Sequence, residues 1–146
     1  MIRFFVRIVG GGEYVNVEVF VLCDAATDSQ GKLNILGAFD TLFVASVPAT
    51  HSQCSVAARL RWERIEGEDH RIAIHVVNQD GKPVIPPLEG NIKVSFPQNA
   101  STAVTNIILN IQGLKLDSFA EHSVDLVVDS KHEASLPLYV KPVPSS

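Results

Sequence analysis

Cys54-Ser55-Val56-Ala57-Ala58-Arg59-Leu60-Arg61-Trp62-Glu63 changes character at nearly every step. Cys54, Val56, Ala58, Leu60 and Trp62 fall on one side of an extended chain, and Ser55, Ala57, Arg59, Arg61 and Glu63 fall on the other. Successive strand side chains point to opposite faces, so the segment reads as a strand with one buried face and one wet face. The same two-residue period recurs upstream, where Val15, Val17, Val19 and Val21 alternate with Asn16, Glu18 and Phe20 and run on into Leu22-Cys23. That pattern predicts one fully β-branched face, a composition that favours strands.

Working outward, Asp24 to Lys32 reads as a turn region on the strength of Asp28, Ser29, Gln30 and Gly31. Leu33 to Phe39 and Leu42 to Val44 follow as apolar runs, the second closed by Pro48. Beyond Trp62 a charged loop, Glu66 to Asp69, precedes a strand carrying Ile72, Ile74 and Val76. Asp80-Gly81 is a hairpin signal that predicts Lys82 to Ile85 pairing back, cut short by Pro86-Pro87. Further strands are expected at Ile92, Val94 and Phe96 and at Ile107, Leu109 and Ile111. Gly113 to Ala120 reads as a connection, with a short helical turn expected around Asp117 to Glu121. A terminal hairpin pairs Val124-Leu126-Val128 with Leu136-Leu138-Val140 through the turn Asp129 to Glu133. No window shows a sustained helical period with caps. About nine short strands with regularly spaced turns predict an all-β fold: a two-layer antiparallel sandwich, immunoglobulin-like or jelly-roll-like.

The expected domain is a single sandwich over 13–142. Residues 1–12 form an N-terminal extension or extra edge strand, and 143–146 form a tail. Met1 to Val9 reads as a strand rather than a leader, since Arg7 interrupts the apolar run and no small-residue cleavage site follows. A chain of 146 residues buries enough surface to hold a core without disulfides or metal. Hydrophobic residues make up 46% and charged residues 19%, which excludes a disordered chain. The net charge of −4 with no basic stripe argues against nucleic-acid partners and against anionic membrane surfaces. No segment reaches the ~18 apolar residues of a membrane helix, and the expected location is the cytoplasm.

Candidate chemistry is sparse. The five histidines include no H-x-H pair and no HExxH motif. His70 and His75 share one predicted strand at an odd separation, so they cannot ligate one metal there. Cys23 and Cys54 sit in apolar runs and read as small buried thiols; whether they pair stays open. Asp28, Asp80 and Asp129 sit where turns favour them. Asp24 directly follows an apolar strand and is expected to be partly buried, either bonded to backbone amides or lining a ligand cleft. Arg59 and Arg61 share the face opposite Trp62, either as a solvated ion-pair face or as a grip for an acidic partner. These three, Asp24, Arg59 and Arg61, are the ligand or partner candidates. No catalytic residue, metal site or cofactor is expected.

The run Val19-Phe20-Val21-Leu22-Cys23-Asp24-Ala25-Ala26 and the run Gly31-Lys32-Leu33-Asn34-Ile35-Leu36-Gly37-Ala38-Phe39-Asp40 resemble the opening of an uncharacterised bacterial family. Cys54 to Trp62, the segment Ile72 to Val76 with Asp80-Gly81-Lys82-Pro83-Val84, and His122 to Asp129 are similar to its later strands. The likeness spans roughly Val17 to Pro142. It implies a small β-sandwich domain of unknown function and carries no activity and no site residues.

The expected function is therefore a non-catalytic binding or assembly module. It would meet a protein partner, or a second copy, through open sheet edges, with Val15 to Val21 and Ile2 to Ile8 as the candidate strands. The alternatives are a small-ligand or carbohydrate-binding domain, which needs a cleft walled by aromatics, and a metal-dependent hydrolase, which needs three converging ligands.

Overall fold

The computed structural model describes residues 15–145. The expected Ile2 to Ile8 strand and the whole 1–12 segment lie outside the described residues. The described residues form nine strands: β1 (Asn16–Ser29), β2 (Lys32–Ala38), β3 (Thr41–Val44), β4 (Ala49–Glu63), β5 (Asp69–Val77), β6 (Leu88–Lys93), β7 (Thr102–Leu116), β8 (Glu121–Val128) and β9 (Lys131–Pro142). One sheet has the order β2-β1-β4-β7, and the other has the order β3-β9-β8-β5-β6. Every pair is antiparallel except β3 with β9, which run parallel. Among the described residues no helix is long and apolar enough to cross a membrane.

The inward row of β4 matches the sequence reading residue for residue. Cys54, Val56, Ala58, Leu60 and Trp62 are all at most 2% exposed. They pack against Ile72, Ile74 and Val76 of β5 and Val124, Leu126 and Val128 of β8, so one core fills the space between the sheets. Burying each large aliphatic here contributes about 1.5–3 kcal/mol, which is why the alternation dictates the layers.

Four local expectations are corrected. The turn after β1 is only Gln30-Gly31, both at positive φ (54° and 79°), so Asp24 to Ser29 continue as strand and the hairpin is long. The Asp80-Gly81 turn does form, but its return segment makes one isolated bridge, Val77 to Pro83, because Pro86-Pro87 cannot extend a ladder. β5 pairs instead with Leu88–Lys93, which leaves Val94 and Phe96 outside any strand. Gly113 sits inside β7, which runs on to Leu116, and Asp117 to Ala120 is irregular. The one helical turn among the described residues is the 3-10 segment Arg64–Glu66.

A fifth correction concerns Val15 to Val21. The β1–β4 register shifts between Val17 and Val19: Val17 faces Leu60 and Val19 faces Arg59. Glu18 is the extra residue of this bulge, and the side-chain alternation inverts across it. Val15 and Val17 pack into the core, then Phe20 and Leu22 do, and Val19 and Val21 turn to the outer face.

Candidate functional site

The bulge places the Glu18 carboxylate on the outer face of the four-stranded sheet, beside the two arginines of β4. Arg59 donates its Nε–H to Glu18 Oε1 at 3.0 Å, and Arg61 donates its Nε–H to Glu18 Oε2 at 2.7 Å. Arg59 Nη1 also donates to Asn106 Oδ1 (3.0 Å), and Arg61 Nη1 donates to Thr102 Oγ1 (3.1 Å). The two guanidiniums thus tie β1, β4 and β7 together. The Arg61 hydrogen bond, helped by the charges of Arg61 and Arg59, holds the Glu18 carboxyl below its ordinary range despite its partial burial. The acid these arginines grip is the chain's own.

The β1–β2 hairpin doubles back over this row. Cys23 pairs with Ser55, four residues along β4 from Arg59, yet the hairpin tip reaches Arg59 itself. Gly31 O accepts from Asn106 Nδ2 (3.1 Å) and Arg59 Nη1 (3.4 Å), and Asp28 Oδ2 accepts from Asn106 Nδ2 (3.0 Å). A groove of about 290 Å³ lies beneath the tip, lined by Val19, Lys32, Leu33, Ile35 and Arg59. This cover explains why Val19 is tolerated on an outer face.

Asp24 is exposed, contrary to expectation, because the strand it was to close continues past it. It stands over Gly37, whose φ of +68° disfavours any L side chain and where a Cβ would press on the Asp24 carboxylate. Asp24 lines none of the four clefts described here. The structure brings Arg59 and Arg61 together and leaves Asp24 apart.

Cys23 and Cys54 are both free and fully buried. Cys23 stands next to Cys54 across the β1–β4 pair but faces the other side of the sheet, so the thiols cannot bond. Burial pushes the Cys54 thiol up to about 11, with the neighbouring Cys23 adding to the effect. Neither has thiolate character for nucleophilic work.

Of the histidines, His70 and His75 lie on opposite faces, as their odd separation requires, His70 pointing inward at 6% exposure. The His70 ring stacks on Trp62 with centroids 4.0 Å apart, at 22°. Its Nδ1 meets Asp129 Oδ2 at 2.6 Å and its Nε2 meets Gly67 O at 3.0 Å. Both neighbours present oxygens to the ring, one from each side. His70 therefore joins the turns on either side of β5 and β8 at one end of the sandwich. His122 bonds Ala120 O, and His132 bonds Ser135 at 2.6 Å. Ser135 and Ser123 both donate to Asp125 Oδ1 at 2.6 Å, so the Ser135 proton is held by the carboxylate rather than by a histidine base. Among the described residues no three His, Cys, Asp or Glu side chains converge for a metal. Each of the four clefts carries at most one aromatic: Phe39, Trp62, Tyr139 or none.

The remaining distinctive feature is an edge. β7 pairs with β4 over its whole length, from Thr102 against Glu63 to Leu116 against Ala49. No strand among the described residues pairs with its other side. From Thr102 to Leu114 it contains no charged residue and no proline.

A family model described as a family of unknown function, DUF6941, matches residues 18–141. The chain belongs to that family. No curated protein matches it. Among solved structures, Pseudomonas fluorescens alkylpurine DNA glycosylase AlkC bound to DNA containing an abasic site analog is similar over 87% of this chain, at 11% identity and a TM-score of 0.43. The DUF6941 chain spans only 30% of the length of that glycosylase, and a likeness this weak carries no argument about activity.

Sequence reasoning missed Glu18, Asn106 and the β7 edge. Glu18 was hidden because a bulge leaves no mark in a period-two pattern. The β7 edge did leave one: a charge-free, proline-free run between Pro97 and Lys115.

Proposed function

We propose that this DUF6941 protein is a non-catalytic binding and assembly module that adds a partner protein's strand to the outer edge of β7. The observation that carries this reading is the contrast among the four edge strands. β3 has only four residues. β6 has six, follows Pro86-Pro87 and carries Glu89 and Lys93. β2 carries Lys32 and is broken by the positive-φ Gly37. These are the usual devices that stop one sheet from joining another. β7 has fifteen residues and none of these devices before Gly113. Natural sandwiches rarely leave such an edge bare, and among the described residues nothing pairs with it, which fits strand addition. The edge expected from sequence, Val15 to Val21, instead belongs to β1, which is interior in the sheet order.

The test is a fluorescent alternating valine–threonine peptide, unrelated in sequence to this chain, as long as the uncharged part of β7 and flanked by solubilising lysines, titrated into the protein. Saturable anisotropy in the micromolar range is expected, together with new hydrogen-exchange protection confined to β7. Ile108→Pro, which removes a β7 donor, should abolish both signals. No binding at several hundred micromolar would overturn the reading.

A further inference from the structure

Resting on that reading, we infer that the occupant of the β7 edge is a second copy of this chain, paired antiparallel about a two-fold axis at Ile108. The first argument is charge. A partner chosen by its charge needs a charged row to read, because complementary fields set specificity. The outer row of β7, Thr102, Val104, Asn106, Ile108, Asn110 and Gln112, has no charge at all. A chain with net charge −4 is repelled by its own copy in general, and a neutral edge is the place where two copies meet at least cost.

The second argument is register. In a two-fold antiparallel pair, the residue numbers facing each other sum to a constant, and alternation keeps like faces together. Centring on Ile108 sets Ile108 against its own copy, Asn106 against Asn110 and Ile107 against Leu109. Within two residues of the axis each apolar side chain then meets an apolar one and the two asparagines meet each other, while farther out Val104 faces Gln112. Asn106 is already held by Arg59 and the hairpin tip, so it is fixed in place. Asn110 is exposed and bonded only through its Oδ1, which accepts from Ser55 at 2.7 Å. Its NH2 group is free to donate across the axis. Moving the axis by one residue sets Ile108 against Asn110 and loses this match.

The third argument is size. The uncharged run spans about 44 Å at ~3.4 Å per residue, and the layer behind it is about 10 Å deep. Two copies therefore bury on the order of 900 Å², the range of a reversible dimer rather than an obligate one.

The experiment is sedimentation of the wild-type chain from about 1 to several hundred micromolar, with oxidative cross-linking of Ile108→Cys and Val104→Cys. The native Cys23 and Cys54 are fully buried and give a low background. A monomer–dimer equilibrium is expected with a micromolar midpoint. Ile108→Cys should cross-link across the axis, where facing Cβ atoms lie ~5 Å apart. Val104→Cys should not, since its own copy lies ~27 Å away at eight residues' separation. A wild-type monomer at every concentration that still binds the strand peptide overturns the self-pairing and leaves the edge reading intact. A dimer that cross-links at Val104 or at neither position overturns the register. A monomer that also ignores the peptide overturns both proposals.

Discussion

Replacing His70 with alanine should destabilise the protein by about 3 kcal/mol, and the structure says where that free energy resides. The imidazole makes a bond to a carboxylate at 2.6 Å, a bond to a backbone carbonyl at 3.0 Å and a ring stack at 4.0 Å. Typical values are ~2 kcal/mol for the first, ~1 for the second and ~1 for the stack. The Asp129 side chain is 45% exposed and regains water when its partner leaves, which returns about 1 kcal/mol. The face of Trp62 is buried, so the loss of the stack stands. Urea unfolding followed by tryptophan fluorescence reads this directly, because Trp62 is the only tryptophan and lies against the mutated ring. With a slope near 2 kcal/mol/M, the midpoint should fall by ~1.5 M. Asp129→Asn keeps a residue that tolerates the turn's φ of 49° and removes the charge, so a double-mutant cycle isolates the pair. A loss under about 1 kcal/mol, or full additivity in the cycle, would refute the idea that this ring clamps the two turns.

Three further outcomes follow from the same geometry. His51 Nε2 is buried with no hydrogen-bond partner among the described residues, and its ring lies 6.1 Å from Phe39, so His51→Phe should raise stability by about 1 kcal/mol, read as a higher Tm by calorimetry. Gly37→Ala should cost about 2 kcal/mol or more, since it forces a left-handed backbone on alanine and pushes Cβ into Asp24; pairing it with Asp24→Ala should recover the part due to the clash, measured by the same urea curves. The Glu18 carboxyl is lowered in the folded state, so its contribution is complete above its ordinary value of 4.5 and is lost as pH falls through the lowered folded value; Glu18→Gln should flatten the acid limb of a stability–pH curve below about pH 4.5 and leave its shape at pH 7–9 unchanged.

The candidate site was legible only in fragments. Arg59 and Arg61 could be assigned to one face because alternation alone fixes which side chains of a strand travel together. Their partner could not, because Glu18 lies forty residues away and reaches them only through an inverted register. Asp24 looked buried from its apolar neighbours, yet burial depends on what covers a strand, and here the hairpin turns its tip toward Arg59 and Asn106 instead.

Local chemistry by itself determined the layers. Two-residue alternation from Cys54 to Trp62, and again through Ile72 to Val76 and Val124 to Val128, leaves no way to hide the aliphatic rows except between two sheets. Strand order was decided only by the tertiary structure, because alternation is blind to which neighbour a strand chooses. β3 reaches across to pair parallel with β9, and β7 becomes the last strand of its sheet among the described residues, through contacts made between segments far apart in the chain. The bulge at Glu18 belongs to the same class: one unpaired residue changes no local pattern, yet it decides which valines enter the core and which carboxylate meets the arginines.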